Sequence, residues 1–303
     1  VARALELYPA GTVPTGGELE IFFDETQLEV TGQKMEGAAS DYEGRRMLDW
    51  PALFVGPLSA DLRVTGDNTP VSAHPGDFFA ANAMLWGDKP RYFFDDSASS
   101  ERKHLDLVRA GFPLWSISYN RWTEPLEPAA AAWYVSAWTA MSPHGHYAYV
   151  RHQPTGCAQP QVFAVRRWRG EGELFVRYAF CACEDGTGVS SAASDRHDSK
   201  GERERMSAQL LSDLDPHHPP CLALAANEAF CTLAALASNV LTAMKSIELP
   251  ADHHGWRVCT LVRHLLTLLA KLSRHARGLV LRLYCPAVHL TRWRQWHERH
   301  APA

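Results

Sequence analysis

Of 303 residues, 46% are hydrophobic and 21% charged, with a formal net charge of −4; such a chain can bury a core, which excludes wholesale disorder. Seven cysteines, an odd number without a metal-type repeat, and no visible secretory signal fit a reducing cytoplasm better than a disulfide framework. The charge is uneven: nine Lys/Arg and one acid, Glu298, lie between Trp256 and Ala303, leaving 21 basic and 33 acidic residues upstream, a balance suited to an enzyme with carboxylates in its site and a polyanion as substrate.

In chain order, Glu18 to Asp24 reads as a strand after a Gly-rich turn and ends on an acid. Residues 50–66 give two more strands around a Gly-Pro turn, which completes an antiparallel meander. Asp77 to Leu85 is helical, Arg91 to Asp96 is a strand that again ends in acid, Ser100 to Ala110 has helical spacing, and Leu114 to Tyr119 is a strand. Strands followed by a strand–helix–strand unit indicate a mixed α/β sheet. Between about Arg121 and Asp185, strands near Tyr147, Gln161 and Glu173 alternate with Pro/Gly turns, as in a β-rich insertion. After the His217 to Cys221 run the chain is expected to be helical nearly to its end. The apolar stretch Leu222 to Leu241 carries Asn227, Glu228 and Asn239, which favours a buried soluble helix over a membrane span.

Asp24 and the pair Asp95-Asp96 sit at strand ends, where carboxylates converge at one sheet edge and a divalent cation can bridge them. Like charges so placed need a metal or a proton to compensate them. Two metal ions held this way activate a water or a 3′-hydroxyl and stabilise the leaving oxygen in phosphodiester displacement. A third acid is available on the helix that starts at Lys200, which carries Glu202 and Glu204. On spacing alone, a strand-end Asp also reads as a turn or cap residue, and the helix acids as members of surface ion pairs.

Three ordered blocks carry a family resemblance. Phe22 to Val30, followed by Gly32 to Gly37, resembles the first catalytic block of bacterial insertion-sequence DDE transposases, a strand-end Asp followed by an E-V-x-G-x-Q-E-G type run. Gly87 to Ser100 is similar to the second block, in which an A-D-S element ends a strand; Asp96 takes the ligand position and Asp95 a position that is usually small. Lys200 to Cys221 is similar to the third, where a helix carries the last Glu ahead of a D-L-H-H-P-P-C run, here with Pro216 in place of the leucine. Counting back from His217 puts Glu204 at the catalytic position. Asn227 to Phe230 and Ala237 to Asn239 resemble the family's A-N-x-x-F … A-Y-N helix.

The resemblance implies an RNase H-like α/β core with a β-rich insertion and a C-terminal helical segment, divided as 1–120 (first part of the core), 121–190 (insertion) and 191–303 (third-acid helix and helical tail). It implies Asp24, Asp96 and Glu204 as ligands of Mg2+ or Mn2+, strand cleavage followed by strand transfer, DNA as partner at transposon ends and target, and a homodimer on DNA in the cytoplasm rather than at a membrane. Only 23 residues precede Asp24, too few for the family's helical end-binding region, so a fragment or truncated copy is expected. A catalytically inactive DNA-binding remnant and an RNase H-like nuclease without joining activity are the alternatives.

Lys200 and Arg203, next to the third acid, and Arg274 and Arg277, in the tail, are candidate phosphate contacts. In the tail, Arg263, Lys271, Arg274, Arg277 and Arg282 alternate with Leu261, Leu265, Leu268 and Leu272 as in an amphipathic helix. Trp293 and Trp296 lie among Arg292, Arg294 and Arg299. His217, His218 and Cys221, with His253 and His254, lack the spacing of a zinc site, and Pro219-Pro220 reads as a break between helices. No Gly-rich phosphate loop is present. Ser97, Ser99 and Ser100 read as N-cap residues of the helix near Glu101 rather than as nucleophiles.

Overall fold

The computed structural model describes residues 19–298 apart from 32–33, 42, 67–74, 87–90, 98–99, 101, 120–125, 133–139, 143–144, 158, 185–189, 199, 250, 268, 276–277, 285–289, 292 and 295–297. Arg277, Ser99, Arg292, Trp296 and Arg299, which the sequence singles out, therefore lie outside the described residues.

The central strand is β1 (Leu19–Glu29), and its sequence explains its place. Leu19, Ile21 and Phe23 point into one core, while Phe22 and Leu28 point into another on the opposite face. A strand that is apolar on both faces must be covered on both. It pairs antiparallel with β3 (Arg46–Val55) on one side and parallel with β5 (Arg91–Asp95) on the other. The turn after β3 returns as β4 (Leu58–Leu62), and β6 (Leu114–Ser118) lies parallel to β5. A two-residue β2 (Ala39–Ser40) edges β3. Across the sheet the order is β4/β2-β3-β1-β5-β6, continued by β10 (Arg177–Cys183), β9 (Gln161–Trp168), β8 (Gly145–His152) and β7 (Ala140–Ser142), ten strands in all.

Helices cover both faces. On one, α1 (Pro75–Trp86), α2 (Arg102–Gly111) and α3 (Leu126–Ala132) supply Phe78, Leu105, Val108, Leu126 and Ala130 to the core that holds Ile21 and Phe93. On the other lie α4 (Ser190–Asp198), α5 (Lys200–Leu214) and α6 (Leu224–Glu248); Leu210 and Cys231 pack there with Phe22, Trp50 and Phe94. Aromatic stacking of Phe22 on Phe94, 5.4 Å between centroids, ties β1 to β5 within this layer. The chain is thus an α/β protein with one mixed sheet between helices.

Several expectations are met and several are corrected. The meander, the first two helices and the parallel pair fall where the sequence puts them. The strands of the 121–190 segment continue the same sheet through the antiparallel β6–β10 pairing, with Cys181 opposite Ser118. A further helix, α4, precedes α5. The expected burial of the long apolar helix is corrected: α6 turns only Asn227, Cys231, Ala234, Ala235 and Lys245 inward and exposes Leu233, Leu236 and Val240. By length and composition alone α6 is sufficient to cross a membrane.

The helical tail is the main correction. Helix α7 (Val258–Leu261) and one π turn end at Leu266, and β11 (Leu269–His275) then pairs antiparallel with β12 (Gly278–Tyr284) as a separate hairpin. Arg274 stands opposite Leu279 in that hairpin rather than on an amphipathic helix. The physical reason is local. Leucines at 265, 268, 269 and 272 satisfy a helical period, but Arg277-Gly278 is a turn signal, and the run Leu279 to Tyr284 is rich in β-favouring side chains.

Candidate active site

Strand parity decides which acids meet. Along β1, Phe22 and Asp24 share a face, and Phe23 and Glu25 share the other. Along β5, Phe94 faces the α5 layer and Phe93 the α1–α2 layer, so Asp95 belongs with Phe93 and Asp96 with Phe94. The parallel register Phe22↔Phe94, extended by two positions, sets Asp24 level with Asp96. Asp96 follows the last residue of β5, where open α/β sheets bind ligands. Asp24 lies inside β1, which runs past it to Glu29 instead of ending on the acid as the sequence suggests, and it shares with Asp96 the face that α5 covers.

Helix α5 completes that face. Ser207 and Leu210 point at the sheet, and Glu204 lies one turn before Ser207. The Asp24 carboxyl is pushed up to about 6, first by burial and then by Asp95, Asp96 and Glu204, while the nearby Ser207 hydroxyl pulls it down. Acids from β1, the end of β5 and α5 are thus close enough to repel one another. Asp96 and Glu204, both far from Asp24 in the chain, are within electrostatic range of it, but among the described residues the three are not a group whose ligand atoms lie within 4.8 Å of one another.

Asp95 has a different job. It is buried, and its Oδ2 lies 3.2 Å from Nε2 of the fully enclosed His104 on α2. Its Oδ1 accepts the Asp96 backbone N–H at 2.7 Å. On the same face, Glu25 is pushed up to about 8, first by burial and then by Asp49, Asp95, Asp24 and Asp96. The Asp24-Glu25 pair inside β1 and the Asp95-Asp96 pair at the end of β5 each present one acid to each face of the sheet. Neither Glu25 nor His104 stands out in the sequence, although the Asp24-Glu25 pair parallels Asp95-Asp96 and signals an acid on each face.

Lys200 Nζ lies 2.7 Å from Glu204 Oε1, with the lysine side chain mostly covered and the glutamate half exposed. Arg203 is on α5, but its side chain is outside the described residues. Arg274 is exposed on β11, in the hairpin. A cavity of about 250 Å3 beside Glu204 is lined by Ser118, Arg166, Cys181, His197 and Lys200. His197, on α4, bridges two strand residues: Nδ1 lies 2.8 Å from Ser116 Oγ and Nε2 2.7 Å from Ser118 Oγ. Burial, with the Lys200 and Arg166 charges, pulls its imidazole down to about 4. The sequence holds no sign of this bridge, because β6 and α4 are some eighty positions apart.

As a donor set, three carboxylates with oxygen ligands and mutual repulsion fit a hard divalent cation such as Mg2+ or Mn2+. The His197 imidazole is committed to Ser116 and Ser118, whereas His104 approaches Asp95 at 3.2 Å without a hydrogen bond on either ring nitrogen. The chain matches no known family and no curated protein sequence.

Proposed function

We propose that this chain is the catalytic part of an insertion-sequence transposase of the DDE type, acting on DNA with Mg2+ or Mn2+ held by Asp24, Asp96 and Glu204. The observation that carries the reading is the Asp24 carboxyl, raised to about 6 by burial and by acids from two other elements. Burial first, and repulsion among neighbouring carboxylates second, raise Asp24, and a bound cation would compensate both. The strand order β4-β3-β1-β5-β6, with an antiparallel meander followed by two parallel strands, supports an RNase H-like core. In that reading the β7–β10 strands are an elaboration at its edge, and the chain works on DNA in the cytoplasm, as a dimer across two transposon ends.

A divalent cation at these carboxylates supplies Lewis-acid stabilisation of the charge that develops on phosphate and leaving oxygen. The protein's share is to hold and release charge. Asp24, Asp96 and Glu204 would hold the cation as carboxylates. Glu204 is bonded to Lys200 in this structure and would have to leave it to ligate, which would make the ammonium available to a DNA phosphate. Asp95 fixes the backbone at Asp96 through Oδ1, and its Oδ2 lies beside the buried His104 ring.

The Glu204–Lys200 pair also favours a second reading. If that ion pair persists, the third acid never ligates, and the chain is a DNA-binding remnant without chemistry. Supercoiled plasmid incubated with Mg2+, Mn2+ or chelator separates the two. The catalytic reading expects metal-dependent nicking that falls at least about 100-fold in Asp24→Asn, Asp96→Asn and Glu204→Gln. Nicking that survives in Asp24→Asn, or that needs no metal, would sink it. A labelled transposon end distinguishes strand joining from hydrolysis alone.

A further inference from the structure

The turn between α5 and α6 gathers a second, chemically different group of ligands. Asp215, His217 and His218 each offer one ligating atom, and these atoms lie within 4.8 Å of one another. His218 Nδ1 is 2.6 Å from Asp215 Oδ1, and His217 Nδ1 is 3.5 Å from the same oxygen. The two imidazoles stand with centroids 4.0 Å apart. Cys221, which the sequence groups with the histidines, is not part of the cluster; Asp215 is.

We propose that Asp215, His217 and His218 form a binding site for a borderline transition metal of the zinc class. Two imidazoles and one carboxylate select that class, because Mg2+ and Ca2+ take oxygen donors. His217 is prepared for it. Its Nδ1 lies 2.7 Å from the Leu211 carbonyl, which accepts only, so Nδ1 carries the proton and the lone pair is at Nε2. Ligating histidines commonly carry such a bond on their other nitrogen.

The backbone around the cluster is also fixed in advance. Asp215 sits in the left-handed region at φ 61°. Beyond Pro219-Pro220, Asn227 holds Cys221 at both ends: its Oδ1 accepts the Cys221 N–H at 2.9 Å, and its Nδ2 donates to the Cys221 carbonyl at 2.8 Å. The three ligands therefore come from a turn that α6 already anchors. Asp215 and His218 are exposed, which leaves the fourth coordination position to water. Bound metal clips the end of α5, the helix that carries Glu204, to the start of α6. The site is separate from the carboxylate face and does not depend on the transposase reading.

The test uses the full chain stripped with chelator and titrated with Co2+, whose visible absorption reports imidazole ligation, and then with Zn2+ in competition. With excess Mg2+ present to compete for the carboxylate face, one Co2+ per chain with imidazole-type absorption is expected, displaced by Zn2+ and not by the Mg2+, together with a rise in melting temperature on Zn2+ addition. His218→Ala and Asp215→Asn, both at exposed positions, should each weaken Co2+ binding at least tenfold; His217→Ala should do the same. Asp24→Asn and Cys221→Ala should leave it unchanged. Absence of stoichiometric Co2+ binding in the wild-type chain overturns the proposal. So does binding that survives in His218→Ala, or binding that Asp24→Asn removes.

Discussion

Replacing Asp24 by Asn should make the metal-free protein more stable at neutral and alkaline pH. In the folded chain the carboxyl ionises at about 6 instead of 3.8. Between those values the folded state holds a proton that the unfolded state has lost, so the contribution of this group is present below 3.8 and is lost as pH rises through about 6. At 1.36 kcal/mol per pKa unit, the charged carboxylate costs the fold about 3 kcal/mol at about pH 8. Asn keeps the shape without the charge, so the variant should recover up to that amount, or about 6 °C in melting temperature for a chain of this length. Urea unfolding in chelator at about pH 8 and about pH 4 measures it. The gap should close at the acid end, where both carboxyls are neutral, and saturating Mg2+ should stabilise the wild type more than the variant. A variant less stable than wild type at about pH 8, or a gap that ignores pH, would refute the electrostatic argument.

Three further expectations come from other parts of the fold. His104→Ala removes a fully buried ring packed near Phe79 and Phe93 and leaves a cavity in the core; urea unfolding should show a loss of about 2–5 kcal/mol. Asn239→Ala breaks the paired bonds by which α6 grips β4, from Ser59 N–H to Oδ1 at 2.9 Å and from Nδ2 to the Ser59 carbonyl at 2.7 Å; about 1–3 kcal/mol should be lost in the same assay. His197 is held neutral, pulled down to about 4 from 6.5, so its contribution is complete above 6.5 and disappears as pH falls towards 4. In His197→Gln the fall in melting temperature between about pH 6.5 and 4 should be shallower than in the wild type; an unchanged slope would assign the acid sensitivity elsewhere.

How much of this was legible in the sequence depends on how far apart the partners lie. The order from β1 to β6 could be read because each element carries its own period, and because Asp24 and Asp96 close apolar runs. The choice between Asp95 and Asp96 could be made from motif likeness alone; its physical basis, the alternation of faces beside Phe93 and Phe94, needs the register against β1. Long-range joins such as Cys181 opposite Ser118, or His197 bridging Ser116 and Ser118, leave no local trace. The tail failed for the opposite reason. Leu265, Leu268, Leu269 and Leu272 fit a helix, and only the Arg277-Gly278 break and the composition of Leu279 to Tyr284 argue for a hairpin.

The adjacent acids Asp24-Glu25 and Asp95-Asp96 make the two sides of the sheet answer to each other. Glu25, on the far side from α5, keeps its proton to about 8, partly because Asp24 and Asp96 lie within electrostatic range through the backbone layer. Any added positive charge next to Asp24 and Asp96 therefore lowers the proton affinity of a carboxyl it never touches. Loading the α5 side at neutral pH would expel hydrogen ions from both sides, and the observed binding heat would change with the ionisation enthalpy of the buffer.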